Sequence, residues 1–519
     1  MLRPESGTAR PRLSLAVLSL VLFVTFLDNT VVAAALADIQ VGLHAGVSAL
    51  QWIVSSYALT FAALMLTFGT LGDHLGRRAV MLGGLGVFTV GSIIGSVATT
   101  SGMLIGARVV MGIGAAASEP GTLSMIRQLY PDRTERAQAL GVWAAVSGLA
   151  LAAGPVIGGA LVGVWSWRAV FVFNVAVGLV AIVGVYVILP ELANHDRRRL
   201  DIGGFVLGAS ALTAATFATI AGESWGYATW WIALLYGAAV AMGVAFVVVE
   251  RRAEEPVLDL HFFRERAFTG GNVVAFTGYF ATFAVFFFIP LYLQLIGTAS
   301  PYDVALDFLP MAAAMIAASA LSGRWVARVG PGLPMASGCA VAGIGILVTN
   351  SMLSASSGVE LFGWSLTFVG AGLGVVMVAV TSSVLGVVPA ARSGMAASAV
   401  NTSRELGAVA GVAVLGSVVN GVLVTNLVRE LARIPALPPS LRGQVITAVT
   451  TGSVNTSSST LPKTGPIAAI VQEVLNAANK SFSDALDVVL ILAGALLLGS
   501  AVLAAGLIRG WRAVNSEDS

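Results

Sequence analysis

The sequence predicts an all-α polytopic membrane protein, and three observations carry that prediction. Of its 519 residues, 57% are hydrophobic and only 10% are charged, against roughly 25% charged in an ordinary soluble domain. Mean hydropathy is +0.89. The apolar residues fall into fourteen continuous runs, each near the roughly 20 residues that an α-helix needs to cross a bilayer. Continuous rather than alternating runs exclude a transmembrane β-barrel. A chain this apolar cannot clothe itself in solvated charge, so a soluble enzyme, a nucleic-acid binder and a secreted module are all excluded.

The runs lie at about 13–36, 50–71, 80–99, 102–124, 137–162, 168–189, 202–221, 229–249, 269–295, 304–326, 335–352, 359–384, 398–426 and 484–508. The first follows Arg3, Arg10 and Arg12 and ends in Ala35-Leu36-Ala37, which mimics a signal-peptide cleavage site. It is too long for a signal core and contains Asp28, so it reads as a retained span. Arginine and lysine set the orientation. With the N-terminus inside, 21 of the 28 fall in cytoplasmic segments and one, Arg168, in a short external loop. Both termini are therefore predicted to be cytoplasmic. A long external segment, 427–483, carries Pro435, Pro438, Pro439 and a Ser/Thr run. Within it, 440–451 and 466–480 have the pattern of short amphipathic helices, and the plain alternative is a solvated linker. One cysteine, Cys339, leaves no intrachain disulfide and no cysteine metal site. His44, His74, His195 and His261 all fall in polar connections.

Two short turns repeat. Gly69-Thr-Leu-Gly-Asp73-His-Leu-Gly76-Arg77-Arg78 follows the second run, and Gly323 to Gly330 follows the tenth, 254 residues later. Arg136 and Arg392 repeat at 256. The offsets predict a duplicated six-helix unit: residues 1–190 and 269–519, with 191–268 as an inserted helix pair and cytoplasmic linker. Internal repeats around a central site are a common plan of secondary transporters.

An ionisable group in hydrocarbon costs at least about 2.5–3.5 kcal/mol and needs a partner or a wet cavity. Asp28 stands 15 residues into the first run, about 23 Å along a helix. Arg108 stands about 9 Å down from the outer end of the fourth. Their depths match, so they pair if those helices are neighbours; the alternative role is a packing ion pair alone. Glu119 lies three turns deeper than Arg108, before Pro120, and reads either as a second titrating carboxylate or as an inner-end residue beside a local arginine. Asn401, Arg404 and Glu405 are expected near the inner mouth, where structural pairing is favoured. Asp307 is placed near the outer start of the tenth run. Gly154-Pro155-Val-Ile-Gly158-Gly159 interrupts the fifth run, because proline frees a carbonyl and glycine permits close crossing. It reads as a conformational element or as plain packing.

Together these residues resemble the major facilitator superfamily, in particular its fourteen-span drug:proton antiporter subfamily (the QacA/EmrB-like group). Gly69-x-Leu71-Gly72-Asp73-x-x-Gly76-Arg77-Arg78 resembles motif A. Leu104-x-x-x-Arg108-x-x-x-Gly112-x-Gly114-Ala115-Ala116 resembles motif B. Gly154-Pro155 to Gly159 resembles the antiporter motif C, and Leu27 to Val32 resembles motif D1. Trp167-Arg168-x-x-Phe171-x-x-Asn174, Glu250 to Phe263 and Asn401-x-x-Arg404-x-x-Gly407 resemble further stretches of that group. Departures are Ala33, Ala37, Ala176, His74, Glu119 and Glu405, and the two glutamates bear on substrate charge or proton number.

The resemblance implies the major facilitator fold, alternating access and proton-driven export of hydrophobic or cationic drugs across the plasma membrane of a bacterium. No Gly-x-x-x-x-Gly-Lys-[Ser/Thr] occurs, so the energy source is expected to be a proton gradient, with no cofactor and no metal. Asp28 is the first choice of proton carrier, with Arg108 modulating it and Glu119 second. Expected partners are small hydrophobic or cationic substrates, protons and lipids, with a monomeric chain. An exporter of one endogenous metabolite or lipid, an importing facilitator and a membrane enzyme remain the alternatives; the loops hold no cluster with catalytic spacing.

Overall fold

The computed structural model describes residues 11–43, 45, 47–191, 202–253, 258–295, 301–354, 359–389, 392–450 and 466–514. His44, His195, Lys463 and the Ser/Thr run at 456–460 lie outside the described residues. The described chain is helical: α1 (Pro11–Ala34), α2 (Leu36–Leu43), α3 (Val47–Leu75), α4 (Arg77–Ser96), α5 (Ser101–Leu129), α6 (Arg133–Val164), α7 (Arg168–Ile188), α8 (Ile202–Trp225) and α9 (Trp230–Glu250). After a 3-10 turn at Leu260–Arg264 come α10 (Arg266–Leu295), α11 (Pro301–Val329), α12 (Gly332–Ser354), α13 (Val359–Gly386), α14 (Ser393–Ala432), α15 (Pro439–Thr450) and α16 (Pro466–Val514). Every apolar run of the sequence falls on one long helix. Among the described residues, ten helices are long and apolar enough to cross a membrane, and Trp52–Met65 and Val206–Thr219 are shorter apolar stretches.

Local chemistry sets the helix starts. Thr100 caps α5 by accepting from the Met103 N–H at 3.2 Å, and Asp132 caps α6 by accepting from Thr134 and Glu135. Such caps satisfy N–H groups that a first turn leaves without partners. Between α3 and α4 the chain turns at Gly76 with φ 102°, and between α11 and α12 at Gly330 with φ 81°. Only glycine takes that region without strain. The turns 254 residues apart therefore share a backbone conformation as well as a sequence pattern.

The packing has the same regularity. α5 lies against α3 and α4, α1 against α6, and α4 against α7. In the same way α13 lies against α11 and α12, α10 against α14, and α12 against α16. The two sets meet along α6 with α11 and α3 with α14, and α8 packs on both α3 and α14. One apolar core runs through α1–α7 into one end of α10–α14, while a second fills the other end of α10–α14 together with α16.

The long segment after the thirteenth run is not all linker. α14 continues to Ala432, and the stretch at 466–480 is joined to the last run in one 49-residue helix. Leu427, Leu431, Ile434, Leu437 and Ala477 form a separate small core with Val445 and Ile446 of α15. Lys480 and Arg433 both bond Glu430, tying α16 to α14 at the surface.

Candidate functional site

Helices α1, α3, α5 and α7 converge on one buried ionic cluster. Asp28 and Arg108, both 0% exposed, form an ion pair between Oδ2 and Nη1. Asn174 of α7 donates from Nδ2 to Asp28 Oδ1 at 2.7 Å. Arg108 also donates from Nε to the Ile53 carbonyl at 2.9 Å and lies 4.4 Å over the Tyr57 ring. Tyr57 in turn donates to the Thr25 carbonyl of α1 at 2.9 Å. Every partner of Asp28 favours its charge, while its burial opposes it.

A second cluster joins the two sets of helices. Arg404 of α14 donates to Asn401 Oδ1 at 3.1 Å, to the Met377 carbonyl at 3.2 Å and to Thr381 Oγ1 at 2.6 Å. Its guanidinium lies 5.5 Å from the Trp143 ring and 5.7 Å from the Tyr279 ring. Trp143 Nε1 donates to Thr122 Oγ1 at 3.1 Å, and that hydroxyl donates to the Glu119 carbonyl at 2.6 Å. Arg404, Glu405 and Glu119 are all buried. Arg404 lies about 16 Å along α14, which begins at Ser393. Beside Arg404 and Tyr279 is a cavity of about 20 Å³, also lined by Met315, Met377 and Val274, about the size of one water.

The two sets are fastened together at the ends that carry the Gly76 and Gly330 turns. Arg77, at the start of α4, donates from Nη2 to Ser393 Oγ at 3.1 Å, and Ser124 of α5 meets the same hydroxyl at 3.1 Å. Arg127 bonds the carbonyls of Leu385 and Val388 at the end of α13. Arg392 pairs with Asp259, which also caps the 3-10 turn through the His261 N–H at 3.0 Å. Arg78 bonds the Tyr186 carbonyl of α7 and stays within its own set. The Asp73 and Pro155 side chains lie outside the described residues. Asp307 is half-buried on α11, its carbonyl against Gly363 of α13.

Comparison with known proteins places this architecture. The pattern of the Major Facilitator Superfamily matches residues 18–412. The chain belongs to that superfamily. It is 32% identical over 508 residues to the multidrug resistance protein Stp of Mycobacterium tuberculosis (strain CDC 1551 / Oshkosh), covering 96% of this chain and 91% of Stp. It is 32% identical over 516 residues to the tetracenomycin C resistance and export protein of Streptomyces glaucescens, covering 96% and 92%. The multidrug efflux pump LfrA of Mycolicibacterium smegmatis is 30% identical over 500 residues, with 95% of each chain covered. The crystal structure of the human organic anion transporter MFSD10 (TETRAN) aligns with a TM-score of 0.58 at 15% identity, covering 94% of this chain and 99% of that one, a likeness of fold.

Within the superfamily frame the glycine motifs acquire specific contacts. A Cβ on Gly154 would stand 1.9 Å from Thr30 Oγ1 and 2.9 Å from the Val31 nitrogen. The motif C helix is thus pressed against the turn of α1 that follows Asp28. Gly158 is buried, whereas a Cβ on Gly159 would meet nothing within 4 Å. In α5, Gly112 abuts the Tyr57 carbonyl and Gly114 the Phe88 nitrogen; in α13, Gly370 and Gly374 abut the carbonyls of Met311 and Met315. In motif A, Gly69 is buried, and a Cβ on Gly76 would stand 2.6 Å from the Glu191 carboxylate. The sequence reading gave no role to Tyr57, Trp143, Thr381 or Tyr279. Asn174 was visible only as part of a resemblance.

The Arg77 contact carries a prediction. It joins α4 to α14 at their first turns, far along α14 from Arg404. A hydrogen bond from a charged donor contributes about 1.5–3 kcal/mol. Arg77→Ala is expected to lower the transport rate about tenfold while the dissociation constant for substrate in detergent changes less than about twofold. An equal loss of binding would place this turn at the substrate site instead.

Proposed function

We propose that the chain is a proton-coupled exporter of hydrophobic, partly cationic compounds, working by alternating access in the plasma membrane. Residues 1–190 and 269–519 act as two six-helix bundles, with 191–268 supplying an inserted pair and linker. The chain then has fourteen spans and both termini in the cytoplasm, and it works as a monomer without a cofactor. The observation that carries the reading is the Asp28 cluster. An ion pair shut away from water is a poor stabiliser, because desolvation offsets its Coulombic gain. A carboxylate held this way is better explained as one that exchanges a proton. Protonation from outside removes the charge that holds Arg108, and release to the inside restores it. A proton moving inward supplies about 2.3 kcal/mol per 100 mV and about 1.4 kcal/mol per pH unit. Relatives named for multidrug resistance and efflux support drugs as the cargo.

A second reading, an exporter dedicated to one compound, draws support from the relative named for tetracenomycin C. One experiment addresses both readings. In everted vesicles, a panel of dyes and antibiotics is added after a pH gradient has formed. Several unrelated compounds should each dissipate the gradient, and an uncoupler should stop their uptake. Uptake that continues unchanged with the uncoupler would overturn proton coupling. A response to a single compound would favour the dedicated exporter.

A further inference from the structure

We infer that the α8–α9 pair is a seal over one of the two seams between the helix sets, so that lipophilic cargo passes between bilayer and core along the other seam, where α6 meets α11. The seal stands on packing alone, while the route for cargo rests on the reading of the chain as an exporter.

The sets meet along α3 with α14 and along α6 with α11. Toward the core the two seams are alike. α5 packs on both α3 and α14, and α13 packs on both α6 and α11. Away from the core they differ. α8 lies across α3 and α14, with α9 packed on α8, whereas among the described residues no second helix packs closely on both α6 and α11. Exposure follows the cover. Among the described residues of α3, only Leu75, in the last turn, is an exposed large apolar side chain. On α6, Val142 and Leu149 are 43% and 44% exposed, and Leu321 of α11 is 63% exposed. The far face of α9 carries exposed Leu234, Val240 and Val244, so the pair meets lipid where α3 does not.

The pair is fastened at both ends of the seam it covers. Near the start of α3, the Trp52 ring lies 5.0 Å from the Phe217 ring of α8, in an apolar cluster with Ile232 of α9. At the other end, Leu258 packs with Leu207 of α8 and Phe246 of α9, and the next residue, Asp259, pairs with Arg392 just before α14. The start of α14 adjoins the far end of α3, because Ser393 receives Arg77. The fastenings therefore stand about 35 Å apart along α3, enough to span the roughly 30 Å of hydrocarbon. The α6–α11 seam is instead a bare crossing of small residues. A Cβ on Gly141 would stand 2.7 Å from the Ser319 carbonyl, and one on Gly148 2.9 Å from Met315 Sδ. An apolar compound leaves water for the bilayer because its surface is costly to hydrate, so it reaches the protein from the side. When the sets part, a gap along α3–α14 opens beneath α8, while a gap along α6–α11 opens directly to lipid.

The seal is tested on the full-length protein in lipid vesicles, with a small aromatic diazirine that partitions into the bilayer and is read by peptide mass spectrometry. The α6 segment with Val142 should be labelled about fivefold more than the α3 segment with Leu59, the ratio of their 43% and 9% exposures. Trp52→Ala combined with Phe217→Ala removes one fastening and should raise α3 labelling about twofold or more. Equal labelling of the two segments in the wild type, or no rise in the double variant, would overturn the seal. The route is tested with a diazirine-bearing alkyl triphenylphosphonium. Excess tetraphenylphosphonium should suppress its labelling of α6 and α11 about threefold or more and leave that of α9 unchanged. Suppressible labelling around Trp52 and Phe217 would overturn the route. If no labelling is suppressible while α3 stays shielded from the bilayer reagent, the export reading falls and the seal stands.

Discussion

Asp28→Asn is expected to insert and to bind substrate, yet to lose at least about 95% of proton-coupled efflux. The expected loss follows from the two partners of Asp28, Arg108 and Asn174. Asparagine keeps the size of the side chain and can still meet Asn174, but it neither takes nor releases a proton. It also leaves Arg108 with a carbonyl and an aromatic face in place of its counter-charge. Breaking a buried pair from one side costs about 3–5 kcal/mol, so lower yield or thermal stability is expected as well. A second variant separates the two effects. Asp28→Asn combined with Arg108→Gln removes both charges and should recover stability, read by thermal unfolding in detergent, while efflux stays lost. Asp28→Glu restores charge and titration with a longer reach, and should keep partial efflux with a shifted pH optimum. Proton-coupled efflux at the wild-type rate in a monodisperse Asp28→Asn protein would remove Asp28 as the carrier and transfer that role to Glu119.

Some of this site was legible in the sequence because membrane physics makes it so. A charged residue in an apolar run stands out, and counting residues gave Asp28 and Arg108 similar depths. The paired turns were legible because Gly76 and Gly330 sit in equivalent patterns, and both take positive φ. What could not be read was convergence from separate helices. Tyr57 lies in an ordinary apolar run, and nothing in its periodicity says that Arg108 will rest on its ring. The same holds for Trp143, whose position is fixed by Thr122 of a different helix. The bond from Arg404 to Thr381 was not legible either, because the two residues lie on different helices. The close crossings at Gly112, Gly114, Gly370 and Gly374 were hidden by abundance, since 59 glycines give many coincidental spacings.

Gly154→Val is expected to cut efflux by at least about tenfold, whereas Gly159→Ala is expected to leave it within about twofold of wild type. Both glycines belong to the same sequence motif and to the same helix, so the contrast tests contact geometry rather than membership of the motif. At Gly154 any Cβ would overlap the Thr30 side chain and crowd the Val31 nitrogen. Rotating the Thr30 hydroxyl relieves only the first overlap. Its Cβ stands 2.6 Å away and the backbone cannot yield, so α6 must move off α1. Overpacking of this kind costs about 1–3 kcal/mol. The displaced turn of α1 begins two residues after Asp28, so the shift reaches the geometry of its pair with Arg108 and not only stability. At Gly159 a methyl group meets nothing within 4 Å, and alanine improves helix propensity by about 1 kcal/mol. Initial rates of dye efflux from cells, normalised to membrane expression, provide the measurement. If Gly154→Val transports normally, α1 and α6 are not held at this crossing during the cycle. If Gly159→Ala is as damaging as Gly154→Val, the motif acts through helix flexibility and not through the Thr30 contact.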